Sequence, residues 1–367
     1  MPSNKELLEE RKRRVATAIA LEKPDRVPVV PLGNAFAAGV VGVKMSDFCA
    51  DPVVAYKTMI KAFSSLGDID GVQQEGYSPH LLSVLWNSRV KIPGRELPKD
   101  SLWQVQELEL MTVADYDTII DKGYAAFLES FYRDKLDDPL AKLAPYFASV
   151  PGAIQEWAEV GIPVISPGLA TIPYEGFCGG RSLRAFIMDL HRIPDKVQAA
   201  MDVASEYLIQ QARELIRANR PMAIWVGGWR AASQFVAPRL WERFVWPYYK
   251  KLVAAVVEEG AVAILHFDSD WTRDLAYLRE LPKAKCVLAT DGSTNLYKAK
   301  EVLGNHMCLM GDVHSRMLMI ADPDEVYAYA SRLVRDLGPA GFILSSGCDI
   351  PFGAKVENVK AMVAAVH

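Results

Sequence analysis

Three side chains in the C-terminal half have the types that hold a metal ion. His266-Phe-Asp268 closes one apolar run, and Cys348 follows Ser345-Ser346-Gly347 at the close of another. On an extended strand residues i and i+2 point the same way, so the imidazole and the carboxylate face one side together. With a thiolate they make three protein ligands and leave a fourth position open, the arrangement of a catalytic zinc site. Sulfur favours zinc over magnesium or calcium. The same spacing also fits a hydrogen-bonded His–Asp pair beside a buried cysteine.

Other chemistry-bearing residues recur at the ends of apolar runs. Glu75 and Glu175 have the type for acid–base work or for an extra metal ligand, and equally for capping helices. Asp270 stands two residues beyond Asp268. Trp225, Trp229 and Trp271 could wall an aromatic ligand, core packing being their other use. Trp241 and Trp246 fit a helix and read as structural. His314 reads as a surface residue at a helix N-terminus, next to Asp312. Cys49, Cys178, Cys286 and Cys308 are scattered, with no Cys-x-x-Cys, and read as buried thiols rather than a disulfide framework.

These residues need a scaffold that gathers strand ends. Short apolar, β-branched runs centred near residues 27, 70, 163, 223, 263, 286, 308 and 342 alternate with longer helical patterns. The runs are continuous rather than alternating, as in a parallel sheet buried on both faces. Eight βα units predict an α/β fold, a TIM (β/α)8 barrel whose functional groups lie at the C-terminal strand ends. A doubly wound sheet competes, but no Gly-x-Gly-x-x-Gly follows any strand. The pattern predicts an N-terminal helix within 1–25 and a β-hairpin insertion over 84–110, after the second strand. It predicts mostly helix over 115–160, broken near Pro139, Pro145 and Pro151. Helices are also predicted over 238–259 and 272–280. The whole chain, 1–367, reads as one barrel domain.

Charge narrows the class further. The 41 basic and 45 acidic residues give a net charge of −4, which leaves no surplus for a nucleic-acid backbone. No apolar run is long enough for a bilayer span, and the N-terminus is too charged for a signal peptide, so a cytoplasmic protein is expected.

Several segments together resemble the uroporphyrinogen decarboxylase superfamily. They are Pro24-Asp-Arg-Val-Pro28, Pro247-Tyr-Tyr-Lys-Lys-Leu252, Ile264-Leu-His266, Leu309-Met-Gly-Asp-Val313, Pro323-Asp-Glu-Val326, Gly341-Phe-Ile-Leu-Ser-Ser-Gly-Cys348-Asp-Ile-Pro351 and Glu357-Asn-Val-Lys360. The family's fold is a TIM barrel. Its decarboxylases carry an Arg-Gln-Ala-Gly-Arg stretch for the porphyrinogen carboxylates. The corresponding Pro31-Leu-Gly-Asn-Ala-Phe-Ala-Ala-Gly39 has no arginine. They also end strand eight in Gly-His-Gly, where this chain has Ser346-Gly347-Cys348.

The chain is more similar to the family's cobalamin-dependent methyltransferases, which bind zinc through His-x-Cys on strand five and a Ser-Gly-Cys cysteine on strand eight. That resemblance implies zinc on His266, Asp268 and Cys348, with Glu175 as a further candidate. Asp268 stands where the family has a cysteine. The resulting metal should be the stronger Lewis acid and suit an ether oxygen. The resemblance thus implies transfer of a methyl group from a methoxy aromatic to the Co(I) corrinoid of a separate corrinoid-binding protein. Glu75 and Asp270 would be the catalytic carboxylates, and Tyr174, Trp229 and Trp271 the substrate wall. A homodimer is also expected. The alternatives are methyl transfer from a methylcorrinoid to a thiol, a decarboxylase acting on a smaller acid, and a binding protein that keeps only the barrel.

Overall fold

The computed structural model describes residues 2–367. Six parallel strands form a continuous sheet in sequence order: Leu169–Ala170, Ala223–Gly228, Val262–Phe267, Cys286–Thr290, Cys308–Val313 and Phe342–Ser346. Two further extended segments close it into a ring. Val29 bridges Leu344, and Val72 bridges Val164. The Val30 N–H donates to the Leu344 carbonyl at 2.9 Å, Asp70 N–H to Val29 O at 2.8 Å, and Val72 N–H to Pro163 O at 3.0 Å. The predicted barrel is therefore present. Strands one to three are less regular than the rest; in the first and third, prolines (Pro28, Pro31, Pro163 and Pro167) remove ladder donors.

Inward-facing Val30, Ile165, Ala223, Ile264, Val287, Cys308, Met310 and Ile343 fill the barrel as one apolar cluster. Val15, Ala18 and Ile19 of the first helix, Asn4–Ile19, belong to the same cluster, so this helix plugs the N-terminal end. Ser3 and Glu6 start it with a reciprocal capping box. Arg14 from this helix and Arg26 both ion-pair with the fully buried Asp70, which also accepts the Val29 N–H at 2.9 Å. The first two strands and the plug are thus tied together at that end.

Local departures from the predicted elements have local causes. Residues up to Trp86 belong to a helix, His80–Trp86, and the antiparallel pair shrinks to Val90–Lys91 against Gln104–Val105. Pro145 and Pro151 lie inside one helix, Pro139–Glu159, whose buried Leu143, Tyr146, Ala153 and Trp157 hold it against the barrel. The 238–259 helix divides at Val245 into Pro238–Phe244 and Trp246–Glu258. Pro247 opens the second piece, where its missing N–H costs nothing. Residues 272–280 form two 3-10 turns, Thr272–Asp274 and Tyr277–Glu280. A helix absent from the sequence reading, Asn34–Val41, follows the first strand. Among the described residues no helix is long and apolar enough to cross a membrane.

Candidate metal centre

Above the apolar filling, the barrel interior turns polar. His266 is the next inward position after Ile264 on the Val262–Phe267 strand. Trp225, one strand over, stacks on the imidazole with ring centroids 5.6 Å apart and planes 30° apart. That stack depends on Gly227. A Cβ there would lie 1.8 Å from the Trp225 ring, so no larger residue fits beneath the indole. Across the barrel, Gln73 donates to Ser345 at 3.3 Å.

The structure brings His266, Asp268 and Cys348 together, each offering a ligand atom within 4.8 Å of the others. His266 Nε2 lies 3.6 Å from Asp268 Oδ1, and Cys348 Sγ lies 4.0 Å from the same oxygen. His266 Nε2 is buried and makes no hydrogen bond. A buried ring nitrogen without a partner is costly unless something else occupies its lone pair or proton. Burial opposes a charged imidazole, but Cys348 and Asp268 outweigh it and lift His266 to about 10. Neither Asp268 nor Cys348 has a lysine or arginine partner. The side-chain hydrogen-bond and ion-pair neighbours of both lie within the cluster itself. Nitrogen, oxygen and sulfur donors around an orphaned imidazole nitrogen fit a zinc ion.

Glu175 lies on the buried helix Pro173–Arg181 and has another employment. Its Oε1 accepts the backbone N–H groups of Trp229, Arg230 and Ala231 at 2.8, 2.9 and 2.9 Å, and Oε2 accepts Arg230 N–H at 3.1 Å. The carboxylate therefore fixes the loop leaving the Ala223–Gly228 strand. Burial raises it to about 7, against those three hydrogen bonds. Glu75 is likewise buried and raised to about 7. Its carboxylate accepts the Tyr146 hydroxyl at 2.5 Å, and so faces the Pro139–Glu159 helix. Asp270 is exposed and caps the next turn through the Thr272 N–H at 2.8 Å, apart from the cluster.

The aromatic candidates divide similarly. Trp229 stays on the rim, between Trp86 (centroids 4.2 Å apart) and the Arg230 guanidinium, 3.9 Å from its ring. Tyr174 is fully buried beside Phe186, with an unpartnered hydroxyl. Trp271 is packed into the core, stacked on Phe267 at 4.0 Å, and its indole N–H donates to the Asp268 carbonyl at 3.0 Å. His314 is an exposed helix cap, as the sequence suggested.

One pair escaped the sequence reading. Asn34 donates to Asp349 through its backbone at 2.8 Å and its side chain at 3.0 Å, which places it against the residue after Cys348. Burial lifts Asp349 to about 6 despite these bonds. The signal available in sequence was one polar residue in the otherwise apolar Pro31–Gly39 segment.

Comparison with known proteins agrees with this architecture. Residues 135–367 match the model of the family described as uroporphyrinogen decarboxylase (URO-D). A uroporphyrinogen decarboxylase of Anaeromyxobacter dehalogenans is 27% identical over 223 residues, 56% of this chain and 62% of the relative. A methylated-thiol–coenzyme M methyltransferase of Methanosarcina mazei is 22% identical over 173 residues, 47% of this chain and 44% of the relative. The aligned part thus spans less than two thirds of these curated relatives. A solved methyltransferase structure from Methanosarcina mazei superposes with a TM-score of 0.73 over 97% of both chains, at 21% identity, which establishes the shared fold.

Proposed function

The chain belongs to the uroporphyrinogen decarboxylase family, and from that premise we propose that it is a zinc-dependent methyltransferase. It would take a methyl group from a methoxylated aromatic substrate and deliver it to the Co(I) corrinoid of a separate corrinoid-binding protein. The observation that carries this reading is the buried, unpartnered His266 Nε2 facing Asp268 and Cys348. These three residues would hold the zinc, which when bound supplies Lewis acidity toward the ether oxygen as the methyl–oxygen bond breaks.

The chain's own groups do the rest. Trp225 stacks on His266 and fixes the ring's orientation. The Trp271 indole holds the backbone of Asp268. Glu175 fixes the Trp229–Ala231 loop, and in this reading it positions the site rather than ligating the metal. Trp229 on the rim is the group offered to an aromatic ring, with Tyr174 buried beneath the rim beside Phe186. Glu75 is buried against the Tyr146 hydroxyl, so any proton it exchanged with a departing phenolate would pass through that tyrosine. The exposed Asp270 suits a contact at the mouth.

The test has two stages. Metal analysis of the purified protein should find one zinc per chain, lost in His266→Ala and Cys348→Ser and kept in Glu175→Gln. Incubation with Co(I) cobalamin and guaiacol should then produce the methyl–cobalt absorption spectrum. Absence of zinc, with no effect of either ligand substitution, would sink the metal assignment. The similarity to a protein named for a methylated thiol supports a second reading, in which sulfur replaces the ether oxygen. Methyl transfer involving thiols, with no response to methoxy aromatics, would select it.

A further inference from the structure

The hairpin insertion plays no part in the metal centre, yet it builds a cavity of its own. The cavity measures about 570 Å³ and lies between the Met45–Ala50 helix, the hairpin turn and the Pro139–Glu159 helix. This volume is in the range of small-molecule sites. The turn is held rigidly over the helix. Ser46 N–H donates to the Lys99 carbonyl at 2.8 Å, and Gly94 N–H to Leu97 O at 2.8 Å. Gly94, with φ of +80°, sits so close that a Cβ would lie 2.7 Å from that of Ser46.

The lining is one-sided in charge. Lys44, Arg95, Lys99 and Lys142 converge on the cavity from three elements, against the single carboxylate of Asp47. Arg95 pairs with Glu96 and Lys142 with Asp137, but Lys44 and Lys99 form no ion pair among the described residues. Lys44 and Lys99 thus leave two positive charges at the cavity with only Asp47 on its wall to offset them, in a chain of net charge −4. His80, also on the wall, stays neutral, because burial together with Lys142 and Arg95 pushes it down to about 4. Ile92, Pro93, Pro145, Tyr77 and Tyr146 give the wall an apolar and aromatic part, with Ser46 and Ser78 as further polar groups.

We propose that this cavity is a binding site for a small organic anion, an oxyanion carried on an apolar or aromatic body. The lysines would take the oxyanion, and the proline and tyrosine walls the body. Inorganic phosphate alone would leave those walls uncovered, and a neutral ring would leave the cations unpaired. The proposal does not rest on the metal centre or on the methyl-transfer reading.

Calorimetric titration at low ionic strength tests it, with benzoate, phenyl phosphate, benzamide and inorganic phosphate as probes. Benzoate or phenyl phosphate should bind in the sub-millimolar range, about tenfold more tightly than benzamide or inorganic phosphate. The tighter of the two identifies the oxyanion as carboxylate or phosphate. The double substitution Lys44→Gln/Lys99→Gln should weaken binding about tenfold, while Lys283→Gln, elsewhere on the surface, should not. All three lysines are exposed, so these variants should fold. Added salt should weaken binding as well. Absence of binding by both ring anions overturns the proposal. So does binding of benzamide or inorganic phosphate as tight as theirs, or an affinity unchanged in the double variant. Zinc content should be unaltered throughout, so failure here and failure of the metal assignment are read separately.

Discussion

Replacing Glu175 separates a positioning carboxylate from a metal ligand. Its Oε1 receives three backbone N–H groups at 2.8–2.9 Å, those of Trp229, Arg230 and Ala231. Ala231 is fully buried, and an orphaned buried N–H costs about 1–3 kcal/mol. The other two are partly reachable by water and are set at about 1 kcal/mol each. Glu175→Ala should therefore lose roughly 3–5 kcal/mol, a large share of a typical 5–15 kcal/mol stability. Glu175→Gln keeps an oxygen for the three short bonds. It turns an amide only toward the weaker Arg230 contact at 3.1 Å, so it should lose about 1 kcal/mol or less. Urea unfolding at neutral pH, followed by tryptophan fluorescence, measures both, and metal analysis should find zinc retained in Glu175→Gln. The reasoning is refuted if the alanine variant lies within about 1 kcal/mol of the parent. It is equally refuted if the glutamine variant is as damaged as the alanine or loses its zinc.

Three further outcomes are expected. Glu75 has its folded pKa raised to about 7 from 4.5, so stability is full below about pH 4.5, falls as pH rises through 7, and then levels off. The loss is at most about 3 kcal/mol, and Glu75→Gln should flatten this part of the curve in urea titrations at pH 5 and 8; an unchanged slope rejects the assignment. Gly227→Ala drives a methyl group into the Trp225 ring and should cost about 1–3 kcal/mol or more, with reduced zinc content, read by thermal melting and metal analysis. Asp70→Ala leaves Arg14 and Arg26 without their shared buried partner and should cost about 3–5 kcal/mol by denaturant unfolding, with the proposed metal ligands untouched.

The barrel and its metal-ligand candidates were legible because both follow from short-range rules. Continuous apolar runs mark buried parallel strands, and the strand ends carry the chemistry, so His266, Asp268 and Cys348 could be named together from two short stretches of sequence. What could not be read is which buried polar group a given carboxylate serves. Glu175 and Glu75 look alike in sequence. One holds three amides of a loop more than fifty residues away, and the other receives a tyrosine hydroxyl from a helix seventy-one residues on. Trp229 and Trp271 share a residue type and a strand-end position. The difference between rim and core is decided by Trp86 and Phe267, partners that no local pattern announces. The Asn34–Asp349 contact spans 315 residues and depends on ring closure.

That closure has a consequence for the order in which the site is assembled. Val29 finds its strand partner in Leu344, four residues before Cys348, so the first strand has no sheet neighbour on one side until the chain has been made through residue 344. The thiol that completes the metal-ligand set arrives with that same last strand. If His266, Asp268 and Cys348 hold zinc as proposed, its uptake would report on a closed ring rather than on a partly folded sheet, and a nascent chain stopped before residue 340 should neither retain the ion nor cover its first strand. In a pulse-labelling experiment, protection of the Val30 amide and acquisition of zinc should appear together.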